Sequence, residues 1–545
     1  MRRLALTSSV FLASTLALLS VFAACSDDPA PAPVVDAGAP DVAEDTAPPP
    51  GSITVAVQEA VTVRRGQSTK FTATLTRGAG TGKPVTFKAK SLGQGLTMAD
   101  ATASGTDTTF ELELKASGAA ALGFGTASIT YQVEGQTPKE VALRVLVTDG
   151  TSGGYDNDLG NGGYVQVVVK AGAAISGVGV VAKPEGIFVL AASAADESFL
   201  VKFDDQGALD TAFGSQGIAK LPAALKKAKH LAASATGLFA MGTGTGDTAV
   251  IIHLGLDGQP IAGFGTQGVA TSTLTSPSFA ALGSGGVVVA GLKGTATQVC
   301  TLNANGAPAS FGTAGCVTPD FVPGLVPYGL SVSGDKQPVL LAYETGAKKL
   351  WLVRYQDDGA YDPTFGNAGR VTVAFDSLSQ GLQNPTEGRV SVSPALSVFS
   401  AAQAQAAGGA AIGVGKTTKA GSSDAAFSKS FLSGERLAGL IALPDEKPLV
   451  LTAGNGLYRR GIDGKVDNSF GVLGTARPAQ PAGAVAGAFT LDAAGRVVVV
   501  GSVPSGEALP DAGAPDADPD ASADASVDSA VPAPATLLLL SRFWL

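Results

Sequence analysis

The side chains of this chain that could do chemistry are three cysteines, two histidines and a set of clustered aspartates. His230 and His253, with so few thiols, cannot assemble a metal cluster or a catalytic dyad built on either residue type. Paired carboxylates occur in FDDQG and YQDDG, and adjacent acids of this kind suit a hard cation such as calcium. The equivalent stretches GLDG and NANG lack the second carboxylate, so the acids read as formers of tight turns. Six more aspartates lie in GEALPDAGAPDADPDASADASVDSAVPAPA, where flexible, solvated carboxylates hold cations only weakly. There is no G-x-S-x-G elbow, no phosphate-cradling loop with a lysine and no H-E-x-x-H pair. GTGTGD (Gly242–Asp247) imitates a dinucleotide fingerprint, but it joins two apolar runs and opens no helix. These residues predict no catalytic group, no metal and no cofactor.

The elements that carry them follow from composition. At 545 residues the chain has room for two to four domains. It is 45% hydrophobic and only 15% charged, with 71 glycines, which fits many short strands joined by tight turns. A net charge of -9 leaves no basic surface to neutralise phosphates, so nucleic acid is excluded as a partner.

The start, MRRLALTSSVFLASTLALLSVFAAC, has Arg2 and Arg3 before an apolar run that ends at Cys25. This pattern predicts a secretory signal over residues 1–24. Phe22-Ala23-Ala24-Cys25 resembles a bacterial lipobox, with Phe22 where Leu is usual. The resemblance implies that the Cys25 thiol carries a diacylglycerol anchor, and Ser26 after it implies delivery to the outer membrane. An uncleaved membrane span is the other reading of the apolar run. Residues 25–50 are rich in Pro, Ala and Asp and predict a disordered tether. The hexapeptide DAGAPD occurs there, at Asp36–Asp41, and again at Asp511–Asp516. The recurrence predicts a second disordered stretch, 506–535, looped out of a domain.

Residues 51–150 alternate polar and apolar side chains. In FELELK, Phe110, Leu112 and Leu114 share one face, opposite Glu111, Glu113 and Lys115. Six or seven such strands in a hundred residues predict an immunoglobulin-like β-sandwich. The order VRRGQS, TATLTR, KPVTF, SLGQGLTM resembles bacterial surface immunoglobulin-like modules, which act as spacers or adhesive units.

From residue 151 one unit recurs. DDQGALDTAFGSQG, GLDGQPIAGFGTQG, NANGAPASFGTAG, DDGAYDPTFGNAG and GIDGKVDNSFGVLG are its clearest copies, with YDNDLGNGG and KAGSSDAAFSKSF as partial ones. Its apolar anchors are Leu159, Phe213, Phe264, Phe311, Phe365, Phe427 and Phe470, spaced 43 to 62 residues apart. A period near 50 signals a propeller or other repeat array. Each unit reads as four strands, with the motif between the third and fourth. The large ring beside a glycine is expected to plug the gap between neighbouring units. Cys300 falls on a third strand and Cys316 opens the following fourth strand. A disulfide forms between them if the register aligns, in the oxidising space that export implies; two buried thiols are the alternative.

The first unit begins with the motif and GYVQVVVK, a fourth strand only. The last supplies three strands, ending in TLLLLSRFWL, and lacks a motif. Joined, the two pieces complete one blade. This predicts an all-β chain whose residues 151–545 form a seven-bladed β-propeller closed by N- and C-terminal strands of one blade. Closure removes exposed sheet edges.

The L-D-x-x-F-G-x-x-G pattern after a D-G turn resembles the delta-60 repeat family of bacterial predicted β-propellers. That family has no assigned activity, so the resemblance implies a fold and no catalytic residues. The function expected is a non-catalytic binding or scaffold head, monomeric and lipid-anchored in the cell envelope, with an envelope protein or glycan as partner. The alternative is a hydrolase or lyase acting on an extracellular polymer.

Overall fold

The computed structural model describes residues 52–545 except 59, 235, 283–284, 335, 374–382, 407–408, 428–429, 478–480 and 506–535. The predicted signal, the tether, Cys25 and the insertion 506–535 therefore lie outside the described residues. Among those described, the chain is all-β, and its one helical element is a single turn at Thr245–Asp247. That turn joins two strands, within GTGTGD.

Nine strands between Ile53 and Thr148 make two sheets. Ile53–Val57, Ser68–Arg77, Thr109–Ala116 and Leu96–Met98 form one. Ala60–Arg64, Lys139–Thr148, Gly123–Val133, Val85–Ser91 and Ala101–Ala103 form the other. Alternation sends Phe71, Leu112 and Leu114 from the first sheet, and Phe87, Ile129 and Val145 from the second, into one core. The run AVTVRRGQSTKFTATLTR divides into two strands, Ala60–Arg64 and Ser68–Arg77. Gly66, at a φ of 70°, makes the turn that carries the chain from the second sheet to the first.

The rest of the described chain forms six sheets. Five have four strands each. The sixth has seven, because Val269–Ala281 pairs through its first half with Thr248–Leu254 and through its second half with Val287–Lys293. One continuous strand here serves as the fourth strand of one unit and the first strand of the next. Seven first strands result: Ile175–Lys183, Lys227–Ala233, Val269–Ala281, Leu325–Val332, Gln383–Val392, Leu437–Ala442 and Val485–Leu491. Each packs against the next, and the seventh packs against the first, so the contacts close a cycle.

The closing sheet draws on both ends of this region. Thr536–Trp544 lies between Arg496–Pro504 and Tyr164–Val167, antiparallel to both, with Tyr164 opposite Ser541 and Val167 opposite Leu538. The second strands are apolar almost without alternation, as in RVVVVGS. Val497 and Val499 pack with Leu449 and Leu451 of the preceding sheet, while Val498 and Val500 pack with Val189 and Ala191 of the following one. Both faces of the strand are buried, so both must be apolar.

The N-terminal sheets join this arrangement beside the closing sheet. Leu146 enters the core that contains Phe470, Phe543 and Leu545, and Phe124 packs against it. Gly123 approaches so closely that a Cβ there would lie 2.4 Å from the Ala493 carbonyl oxygen.

Candidate functional site

The repeated motif has one backbone path. Six of the seven anchors are followed by a glycine, with Ser428 after Phe427, and that glycine takes a φ between 52° and 58° at Gly160, Gly214, Gly265, Gly312, Gly366 and Gly471. A Cβ at Gly265 would fall 2.1 Å from the Val269 carbonyl oxygen, and one at Gly471 2.2 Å from that of Thr475. Only glycine fits this turn. The motif is not a tight hairpin, however. The third strand of the first complete unit ends at Phe203 and its fourth begins at Ile218, so a looped segment with two turns separates them. Asp204 caps the first turn by accepting bonds from the amides of Gln206 and Ala208. Asp210 caps the second by accepting from Ala212.

The anchors Leu159, Phe213, Phe264, Phe311, Phe365, Phe427 and Phe470 are all buried. The amide of the glycine that follows donates to a carbonyl in the next unit: Gly265 to Asn305, Gly312 to Asp358, Gly366 to Ala420 and Gly471 to Ser152. The turn glycine of that next unit lies on the anchor. A Cβ on Gly258 would come within 2.5 Å of the Phe213 ring. The motif thus fastens each unit to its successor.

A second regularity is absent from the sequence reading. The motif aspartate pairs with a cation eight residues earlier, on the third strand. The pairs are Lys202–Asp210 at 2.8 Å, Arg354–Asp362 at 2.7 Å, Lys416–Asp424 at 3.4 Å and Arg459–Asp467 at 2.8 Å. Arg354 and Arg459 also lie over their own anchor rings, Phe365 and Phe470, at 4.5 and 4.8 Å. Burial opposes ionisation of Asp467, but Arg459, the Ser469 hydroxyl and Lys447 outweigh it and hold its carboxyl at about 2. In two units both members change together, to His253 with Ile261 and Thr301 with Ala309. A cation kept eight residues before an acid, and lost with it, was the available signal.

The fifth pair closes the cycle. Arg542 lies on the last strand and Asp156 on the first partial motif, and their Nε–Oδ2 distance is 2.6 Å. Arg496 also reaches Asp156, at 2.9 Å, and Asp492 at 2.6 Å. Both guanidinium groups bond Asp205, the second acid of FDDQG, at 2.8 Å. Arg542 is 0% exposed and Asp156 3%, whereas Asp205 is 73% exposed. These acids thus serve as turn caps and ion-pair partners. Among the described residues, no group of three or more His, Cys, Asp or Glu side chains could hold a metal ion.

Every first strand carries a register shift against its second strand, a bulge that sharpens the local twist. Directly after the bulge the strands place Gly179, Ser278, Gly329, Gly439 and Ala488, but His230 in the second unit and Glu387-Gly388 in the fifth. One residue further on all are apolar except Arg389. Burial, with Arg389 and Lys229 adding repulsion, pushes the His230 imidazole down to about 4. His230 packs edge-on to Phe279 at 5.7 Å.

Cys300 and Cys316 stand opposite each other in adjacent strands and are joined by a disulfide. No helix among the described residues is long and apolar enough to cross a membrane. A scan against protein-family models finds none that matches the chain, and a search of curated proteins finds no match.

Proposed function

We propose that this chain is a lipid-anchored envelope protein whose head binds or scaffolds without catalysis. In this reading residues 151–545 form a seven-bladed β-propeller and residues 51–150 an immunoglobulin-like stalk. Cys25 carries the anchor, and the outer membrane is the destination. The partner is a protein or glycan of the envelope, and the chain works as a monomer. One observation carries the reading. The charged side chains that recur with the motif are engaged within the fold, as caps and buried ion pairs. They hold a surface in shape and are not aimed at a substrate. The cycle of first-strand contacts and the shared closing sheet support the propeller part. The packing of the N-terminal sheets beside the closing sheet, through Leu146, supports a presenting role.

Two measurements test this. Labelling with a radioactive lipid precursor should mark the wild-type chain and not Cys25→Ala; equal labelling of both removes the anchor. Pull-downs with isolated envelope glycans and envelope proteins should show saturable binding without turnover. Polymer cleavage by the purified chain would overturn the non-catalytic reading.

A further inference from the structure

Asparagine followed by glycine is a step at which a polypeptide can modify itself. The glycine nitrogen attacks the asparagine Cγ, since glycine brings no Cβ to obstruct the approach and turns freely into the conformation needed. The chain has three such steps, Asn161-Gly162, Asn305-Gly306 and Asn455-Gly456. The fold treats them differently. The Gly306 amide donates to the Asn303 carbonyl at 2.9 Å. The Gly456 amide donates to the Thr452 hydroxyl at 3.1 Å, and Asn455 is itself buried. Attack requires the amide proton to leave, and a hydrogen bond made by that proton opposes its loss. Among the described residues, the Gly162 amide and the Asn161 side chain have no hydrogen-bond partner, and both residues are exposed. A Cβ built on Gly162 would meet nothing within 4 Å, so a ring forming there has room. Asn367-Ala368 holds the same place in the motif of the fourth unit, but there the Ala368 Cβ stands beside the nitrogen.

We infer that Asn161 is a self-modification site, where the side-chain amide becomes a carboxylate without an enzyme. The Gly162 nitrogen, its proton taken by solvent, bonds to Asn161 Cγ. The Cγ–Nδ2 bond breaks, and the leaving nitrogen takes a proton from water and departs as ammonia. Water then opens the cyclic imide at either carbonyl. One opening leaves aspartate. The other leaves isoaspartate, whose main chain runs through Cβ and Cγ and is one carbon longer. The sum is hydrolysis of an amide, with no oxidant or reductant. Its place gives it a consequence. Asn161 lies between the anchor Leu159 and the strand Tyr164–Val167 of the closing sheet. Its own amide donates to the Tyr164 carbonyl at 3.2 Å, that of Gly160 to Gln206 at 2.7 Å and that of Gly163 to Leu159 at 2.9 Å. A turn held at these points cannot take an extra main-chain carbon and keep every bond, so conversion loosens the strand that follows.

The test ages the full chain at mildly alkaline pH in heavy-oxygen water, beside Gly162→Ala, and maps both by mass spectrometry. The variant suits the fold, because Ala314 and Ala368 hold the same turn position at φ values of 53° and 49°. Position 161 should convert first and take up the heavy oxygen, while Asn305, Asn455 and Asn367 persist as amides. Gly162→Ala should lose most of the conversion. In guanidinium, where the fold no longer discriminates, the three Asn-Gly steps should convert alike. Amide hydrogen exchange at Tyr164–Val167 should be faster in aged wild type than in fresh protein, and unchanged by ageing in Gly162→Ala. The inference is overturned if Asn161 stays an amide, if it converts no faster than Asn305 and Asn455 in the folded chain, or if Gly162→Ala ages like wild type. Unchanged exchange in a fully converted chain would overturn the loosening of the strand.

Discussion

Replacing Asp156 by Asn keeps the volume at the seam and removes one charge. Asp156 faces two guanidinium groups, Arg542 at 2.6 Å and Arg496 at 2.9 Å, in a place where it and Arg542 are almost fully buried. Arg542 would then keep only the exposed Asp205 as a counter-charge, and Arg496 would keep Asp205 and Asp492. Removing one partner of a buried pair costs about 3–5 kcal/mol, and the retained acids place this variant near the low end, about 3 kcal/mol. The internal control is Asp210→Asn. The same motif position there faces Lys202, and Asp210 is 31% exposed, so its loss costs about 1 kcal/mol or less. Urea denaturation read by tryptophan fluorescence measures both. Trp544 sits at the seam, 5.7 Å from Arg496, and Trp351→Phe leaves it as the sole reporter. If Asp156→Asn costs no more than Asp210→Asn, the seam is not held by this cluster and the reasoning fails.

Other consequences can be measured on the same protein. Phe365→Ala empties a fully buried anchor and should cost about 3–5 kcal/mol in the same denaturation assay. Replacing Cys300 and Cys316 together by Ser opens a loop of sixteen residues and should cost about 3 kcal/mol, with the loss matched by reduction of the wild type. Asp467 titrates at about 2 in the folded chain, below its unfolded value near 4. Its stabilisation is complete above about pH 4 and is lost as the pH falls through 2, so Asp467→Asn should flatten stability across that window. His230 is depressed to about 4 from near 6.5, so the unfolded chain binds the extra proton and stability falls as pH drops from 6.5 to 4. His230→Leu should remove that slope in a pH series of melts.

Much of this architecture is legible in the residues because the repeat makes each unit a check on the others. The motif glycines are readable because no other residue fits a φ near 55° with a carbonyl oxygen about 2 Å from the Cβ position. The terminal strand TLLLLSRFWL is legible by subtraction, as the piece missing from a unit that starts at its motif. The merging of two units through Val269–Ala281 is less visible, since one continuous strand and two abutting strands have the same polarity pattern. The cation–acid pairs were hidden by their eight-residue spacing across a looped turn, which matches neither a helix nor a strand period.

The central claim is that strands from the two ends of the repeat region share one sheet. Tyr164–Val167 has a single strand partner, Thr536–Trp544. Amide hydrogen exchange at Tyr164–Val167 should therefore be slow in the intact chain and fast in a chain lacking residues 536–545. Equal protection of those amides in the two proteins would contradict the closed arrangement.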